Sequence, residues 1–497
     1  MRMHVISRYL AVILALMLPL ANCGSARSTA GLDKDAPGQC ETLRTVADPP
    51  AAQCVKAEGP LNIQHVFLIV LENKSYDNTF GSHADPYFLT LRKEGITLEN
   101  YFGIGHNSLD NYIAIISGQP PNPATQMDCP VFAKFFPIQQ SGLISKMAQE
   151  TRKHFASGDD GEKTFAKVSG LMEEDLKNPN ESDQPGATTD GVLPGVGCVY
   201  PPQAKTIADQ LQETNRYSWR AYMEDMETSC ERPELGHFDG TFRKGNKGYA
   251  TRHNPFAYFS SLTGDRSAWS EWIAALTHLF DTQSALSTFF KPLPASGRSN
   301  ETQSICQQHE RPLKNLDEDL KEDREPLPNL IFITPNLCHD GHTDCDGQGE
   351  KGELRAIDGF LGQWLPLIKK SRAFRDGVII ITFDEAEVPR NFPYRPTADT
   401  GGDAADNYAA CCCGEKAGPI WEHPGIGGPG GGRVGAILIS PFVCPGTKNE
   451  IPYNHYSLLR SIEGIFGIQS HLAFANQSGL LTFQEGHVFD YRPSTGK

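Results

Sequence analysis

The sequence predicts an α/β architecture: a mostly parallel central sheet with helices on both faces, interrupted by loop insertions. Three observations predict it. Four runs are apolar and rich in β-branched residues: His65-Val-Phe-Leu-Ile-Val-Leu71, Asn329-Leu-Ile-Phe-Ile-Thr334, Gly377-Val-Ile-Ile-Ile-Thr-Phe383 and Val434-Gly-Ala-Ile-Leu-Ile-Ser440. Continuous apolar character suits strands covered on both faces, as in a parallel sheet. Helical patterns lie between these runs, and alternation of the two element types argues an open α/β sheet. Each run also passes into polar or turn-forming residues at its carboxyl end, where such sheets bind ligands.

In chain order, the first segment reads as a targeting leader. Arg2 and Arg8 precede an apolar stretch from Tyr9 to Leu20, too short to span a bilayer comfortably. Leu20-Ala21-Asn22-Cys23 resembles a lipobox, although Asn22 stands where a small residue is usual. Lipidation of Cys23, with membrane attachment, and simple secretion both remain open. Residues 1–30 are assigned to this leader and 31–60, rich in Pro and Ala, to a tether. The main domain is expected over 61–480, with a tail at 481–497. Helices are expected at Ile113–Ser117, Thr206–Leu211, Ile357–Lys370 with a kink at Pro366, and Tyr456–Phe466; Tyr101–Gly105 resembles a strand or turn. Residues 157–197 and 296–326 are polar or charged and read as insertions, either solvated surface loops or a mobile lid. Gly425–Gly432 lacks the Lys-Ser/Thr of a P-loop and reads as a flexible loop.

The chain has 497 residues and a formal net charge of −15. A chain this acidic, with no Lys/Arg block, is a poor nucleic-acid binder. No second long apolar run exists, which excludes a multispanning membrane protein. Setting Cys23 aside, twelve of the 13 cysteines remain, an even number suited to disulfides in an exported chain. Cys338 with Cys345, and Cys40 with Cys54, could each close a short local loop. Cys411-Cys412-Cys413 suits bridges to different partners, with soft-metal binding as the rival reading.

Candidate chemistry clusters at the strand ends. Glu72-Asn73 follows the first run and Asp384-Glu385 the third. Each pair alone can be a capped loop or a charged edge; together they offer up to four oxygen ligands for a hard divalent cation. Ser108, in His106-Asn107-Ser108-Leu109-Asp110-Asn111-Tyr112, precedes a helical run. Its hydroxyl can be an N-cap. It can equally be a metal-activated nucleophile at an anion-attracting helix start, with His106 and Asn111 on phosphoryl oxygens. His253 and His455 lie in loops or before helices. His339, Asp340, His342, Asp344 and Asp346 crowd one loop, which could belong to the site or hold a structural cation.

These stretches resemble the phosphoesterase family of bacterial acid phosphatases and non-toxin-type phospholipases C, in the alkaline-phosphatase-like superfamily. The likeness rests on Leu71-Glu-Asn-Lys-Ser-Tyr-Asp77, Gly105-His-Asn-Ser-Leu-Asp-Asn-Tyr112, Arg252-His-Asn-Pro-Phe256, Pro335-Asn-Leu-Cys-His-Asp-Gly-His342, Thr382-Phe-Asp-Glu385 and Asn454-His-Tyr-Ser-Leu-Leu459. It spans about residues 62–470. It implies a divalent metal held by Glu72, Asn73, Asp384 and Glu385, Ser108 as nucleophile, and His106, His253 and His455 acting on phosphate oxygens or the leaving group. His339, Asp340, His342 and Asp344 are secondary candidates. Two departures stand out. Asn107 and Asp110 replace prolines of the family's His-Pro-Ser-x-Pro-Asn-Tyr, so Asp110 is expected to add negative charge near the substrate. The loop with His339 and Gly341 is also altered.

The expected function is therefore an exported phosphoric ester hydrolase, in the periplasm, at the outer membrane or cell surface, or secreted. An acid phosphatase on small phosphomonoesters is expected first. A phospholipase C acting on phospholipid headgroups is the alternative; those enzymes commonly carry further C-terminal domains, whereas this sequence ends about thirty residues after its last helix motif. A non-catalytic surface lipoprotein with a degenerate hydrolase fold is the rival from another class. The formylglycine signature Cys-x-Pro-x-Arg of sulfatases is absent.

Overall fold

The computed structural model describes residues 54–59, 61–81, 86–122, 124–135, 191–193, 195–243, 245–264, 303–321, 327–387 and 430–494. The leader, most of the tether, the 157–190 part of the first insertion, Cys411–Cys413 and most of the Gly425–Gly432 run lie outside them.

Twelve strands are described: β1 (Cys54–Lys56), β2 (His65–Leu71), β3 (Ile96–Leu98), β4 (Tyr101–Phe102), β5 (Trp219–Met223), β6 (Glu310–Pro312), β7 (Leu330–Thr334), β8 (Gly377–Phe383), β9 (Ala436–Ile439), β10 (Thr447–Asn449), β11 (Tyr453–Asn454) and β12 (Tyr491–Pro493). Eight form one sheet in the order β10-β3-β9-β8-β2-β7-β5-β6. β2 pairs in parallel with both β7 and β8, and β5 with both β7 and β6. Val66 to Leu71 and Gly377 to Phe383 are buried at every position, so helices and loops cover both faces of the sheet.

The fourth apolar run differs from expectation. β9 runs antiparallel to both of its neighbours, β8 and β3. A strand buried on both faces has the same composition whichever way it points, so the run itself carries no sign of direction.

The 296–326 stretch is also more structured than a loop or lid. Its described part forms a helix at Ile305–His309, the edge strand β6 and a helix at Lys314–Lys321. Ser304 and Gln307 make a reciprocal capping box at its start. An edge strand and a helix bearing a single buried Leu316 need few apolar residues, so the stretch is charged overall.

The expected tail is paired as well: β12 lies antiparallel against β1. Cys54 bonds to Cys444 rather than to Cys40, fastening this ribbon to the β9–β10 connection. Cys338–Cys345 closes locally, and Cys129–Cys198 and Cys230–Cys306 join distant segments.

Three helices matter for the site. Ser108–Ser117 is buried at all ten positions and ends at Gly118, whose φ of 68° suits a residue without Cβ. His455–Ile465 packs beside it. Glu350–Lys370 starts earlier than its apolar pattern suggested and continues through Pro366.

Candidate active site

Strand register assembles the centre. β2 and β8 pair up to Leu71 opposite Phe383, so Glu72 and Asp384 are the first residues beyond the pairing on adjacent strands. The Asp384 amide donates to the Leu71 carbonyl at 2.9 Å, and the Glu72 amide to the Asp340 carbonyl at 2.8 Å. Three loops after β2, β7 and β8 therefore meet at the carboxyl edge. Asn73 turns the chain there with φ 52°, and its amide donates to Asp384 Oδ1 at 3.0 Å. Buried Lys74 braces the same corner, its Nζ donating to the Asn73 and Gly341 carbonyls and to Glu353 Oε2.

Ser108 opens its helix, but its hydroxyl does not cap it. Oγ donates to Glu72 Oε2 at 2.8 Å. The capping task falls instead to Asp128, whose Oδ1 accepts from the Leu109 amide at 2.9 Å. The preceding Asn107 has φ 146°, a conformation that L residues rarely adopt. Its amide donates to Glu385 Oε2, and its side chain to the Gln126 carbonyl.

His253 lies between two carboxylates. Nε2 is 3.3 Å from Glu72 Oε1, and Nδ1 is 3.3 Å from Asp340 Oδ2, neither in hydrogen-bonding geometry. The Tyr112 ring stacks on it at 5.3 Å and 11°. Burial, then the Arg252 charge, pushes the imidazole well below its usual pKa, towards the neutral form. Burial also lowers His455 to about 4.

Glu72, Asp340 and Asp384 are fully buried, and burial raises all three carboxyls. Asp384 and Asp340 raise Glu72 further by repulsion. Glu72 Oε1, Asp340 Oδ2 and Asp384 Oδ2 have no hydrogen-bond partner. Unpaired buried carboxylate oxygens are costly, and a divalent cation would satisfy several at once. Ligand atoms of Glu72, His253 and Asp340 all lie within 4.8 Å of one another. Oxygen donors with one imidazole fit a divalent ion of the magnesium, manganese or zinc type.

The other sequence candidates take different places. His106 Nδ1 bonds Glu385 Oε2 at 2.7 Å, so Glu385 orients this imidazole and the Asn107 amide. Asn111 braces the turn before Ser108: Oδ1 accepts from the Ile104 and Gly105 amides, and Nδ2 donates to the Gly105 and Asn107 carbonyls. Both ring nitrogens of His455 are engaged, Nδ1 by the Tyr101 hydroxyl and Nε2 by the Asp384 carbonyl. His339 pairs with Glu224 at 2.9 Å, away from the carboxylate cluster. His342 is exposed, its ring 6.3 Å from that of His253. Asp344 is exposed and accepts from the Gln348 amide. Asp110 is fully buried, and burial, then repulsion from Asp128 and Asp384, raises its carboxyl well above the usual range, which opposes the expected charge.

Tyr112, Arg252 and Lys74 stood inside the quoted motifs without a role. Asp128 carried no sequence signal, because a carboxylate that caps a helix nineteen residues away is visible only in three dimensions.

Fold and carboxylate cluster together define an open α/β protein with an acidic centre at the carboxyl edge of its sheet. The chain belongs to the Phosphoesterase family, whose model matches residues 82–469. It is 25% identical over 294 residues to the phosphate-repressible acid phosphatase of Penicillium chrysogenum, covering 59% of this chain and 49% of that protein. It is 24% identical over 408 residues to a probable acid phosphatase of Kluyveromyces lactis, covering 80% of this chain and 56% of that one. The chain thus spans about half the length of these relatives. Among solved structures it is similar to a protein in the alkaline phosphatase superfamily from Vibrio parahaemolyticus. That match has 11% identity and a TM-score of 0.38, covering 88% of this chain and 76% of that one.

Proposed function

We propose that this protein is a cation-dependent phosphoric ester hydrolase with Ser108 as nucleophile, acting on phosphomonoesters. The observation that carries the reading is the 2.8 Å contact of Ser108 Oγ with Glu72 Oε2, inside a cluster of buried, unpaired carboxylate oxygens. The acid phosphatase relatives and the family support the ester class.

Glu72, Asp340, Asp384 and His253 would hold the cation, with Asn73 beside them. When bound, it would withdraw charge from the phosphoryl oxygens and favour the ionised Ser108 hydroxyl. Ser108 Oγ attacks phosphorus: the Oγ–P bond forms, the P–O bond to the leaving group breaks, and the alcohol departs with a proton. Water then cleaves the phosphoseryl bond, releasing phosphate and restoring Ser108. The positive end of the Ser108–Ser117 helix dipole would favour the developing negative charge, with Asp128 already taking the Leu109 amide. Asn111, Asp128 and Glu385 hold this segment in place. His455 positions Asp384 through its carbonyl.

We place the protein outside the cytoplasm. Four disulfides among the described residues fit an oxidising compartment. Lipidation of Cys23 is the attachment we would test, by mass spectrometry of the mature N-terminus. Hydrolysis of p-nitrophenyl phosphate against bis-p-nitrophenyl phosphate tests the substrate class. Turnover of the monoester supports it; turnover of the diester alone replaces it with a phospholipase C-type activity, and turnover of neither leaves the non-catalytic lipoprotein.

A further inference from the structure

Arg252 is only 6% exposed, yet its guanidinium makes no hydrogen bond among the described residues. Its contacts are loose: Nε is 3.8 Å from Asp128 Oδ2, and Cζ lies 4.9 Å from the centre of the Phe242 ring. No guanidinium nitrogen of Arg252 is among the fully buried atoms left without a partner, so its donors stay accessible to an incoming ligand.

The backbone beneath it is fixed. Thr251 Oγ1 donates to Asp239 Oδ1, Thr334 Oγ1 to the His253 carbonyl, and Asn254 Nδ2 to Glu310 Oε2. The Thr251–His253 turn therefore holds its side chains against the centre. His253 lies against Glu72. Arg252 lies beside Asp128, whose Oδ1 caps the helix that starts with Ser108. The Arg252 charge is felt at Asp340 and His253, which places it within electrostatic range of both. Lys74, the other buried cation of this region, already has three partners.

We propose that Arg252 is a substrate-binding residue whose guanidinium grips two non-bridging oxygens of a phosphoryl dianion, and so selects phosphomonoesters over diesters. This rests on the hydrolase reading above. A monoester carries close to two negative charges near neutral pH, and a diester one. A planar fork matches two phosphoryl oxygens at once.

The test compares the full-length wild type with Arg252→Gln and Arg252→Lys, using calorimetry with inorganic phosphate and steady-state kinetics on the two nitrophenyl esters. Arg252→Gln should weaken phosphate binding about 10–100-fold, as loss of charge-assisted bonds implies. It should lower kcat/KM for the monoester by a similar factor and that for the diester by no more than about threefold. Arg252→Lys, which keeps the charge and loses the fork, should fall between and guards against misfolding of the Gln variant. Unchanged phosphate affinity in both variants, or equal losses on both esters, overturns the proposal. If the wild type cleaves neither ester, the hydrolase reading falls, while the phosphate titration still decides whether Arg252 binds this anion.

Discussion

Two neighbours in one loop, His339 and Asp340, behave in opposite ways. His339 lies half-exposed, its Nδ1 bonded to both oxygens of Glu224. Asp340 is fully buried and leaves Oδ2 without a hydrogen bond, facing His253. The first pair is complete as it stands. The second leaves one oxygen unpaired, although Oδ1 accepts from the His342 amide. Residue type and sequence position did not separate them; completeness of bonding does.

Replacing the hydroxyl at the heart of the incomplete cluster should have the largest effect. Ser108→Ala is expected to lower turnover by about several hundredfold or more with an unchanged circular dichroism spectrum; near-normal turnover would remove Ser108 from the mechanism. Exhaustive chelation comes next. It should reduce activity about 100-fold or more, reversibly on adding back divalent ions. It should also lower the melting temperature, since a ligand bound only by the folded state stabilises it. Activity indifferent to chelators would leave those unpaired oxygens without a purpose.

The loop comparison itself is sharpened by two variants one residue apart. Asp340→Asn should weaken apparent divalent-ion affinity about 10–100-fold, read by metal titration of activity. His339→Ala should leave kcat/KM within about twofold and cost no more than about 1 kcal/mol, as for a solvent-screened ion pair. Equal effects of the two would erase the distinction.

The smallest expected effect concerns Glu310, buried beside the Cys230–Cys306 disulfide and pushed by burial up to about 8. An acid with a raised folded pKa binds more protons folded than unfolded between the two values. Its stabilising effect is complete below its ordinary pKa and is lost as pH rises through about 8. Glu310→Gln should therefore raise the melting temperature at pH 9 by about 2–4 °C and leave that at pH 4 nearly unchanged. Parallel shifts at both pH values would contradict this.

Much of the fold was legible because double-sided burial writes itself into composition. β2 and β8 match their apolar runs residue for residue. The direction of β9 was not legible, nor was β6, a Glu-Arg-Pro edge strand with no apolar run. Pairing of Cys54 with Cys444 spans 390 residues and leaves no local trace. In the site, Glu72, Ser108 and Asp384 announced themselves by standing at element boundaries. Asn111 and His455 stood there too, and only their saturated hydrogen bonds reveal a bracing task. Sequence shows which groups are available; it does not show which ones neighbouring atoms have already claimed.

The Cys54–Cys444 clasp has a geometric corollary. β9 opposes β8, so its exit towards Cys444 passes the amino end of β8, where Ser440 Oγ holds the Gly377 carbonyl. Glu72 and Asp384 stand at the contrary rim. The Cys54–Cys444 bond is therefore set at the amino-end rim, the full length of the central strands away from the buried carboxylates.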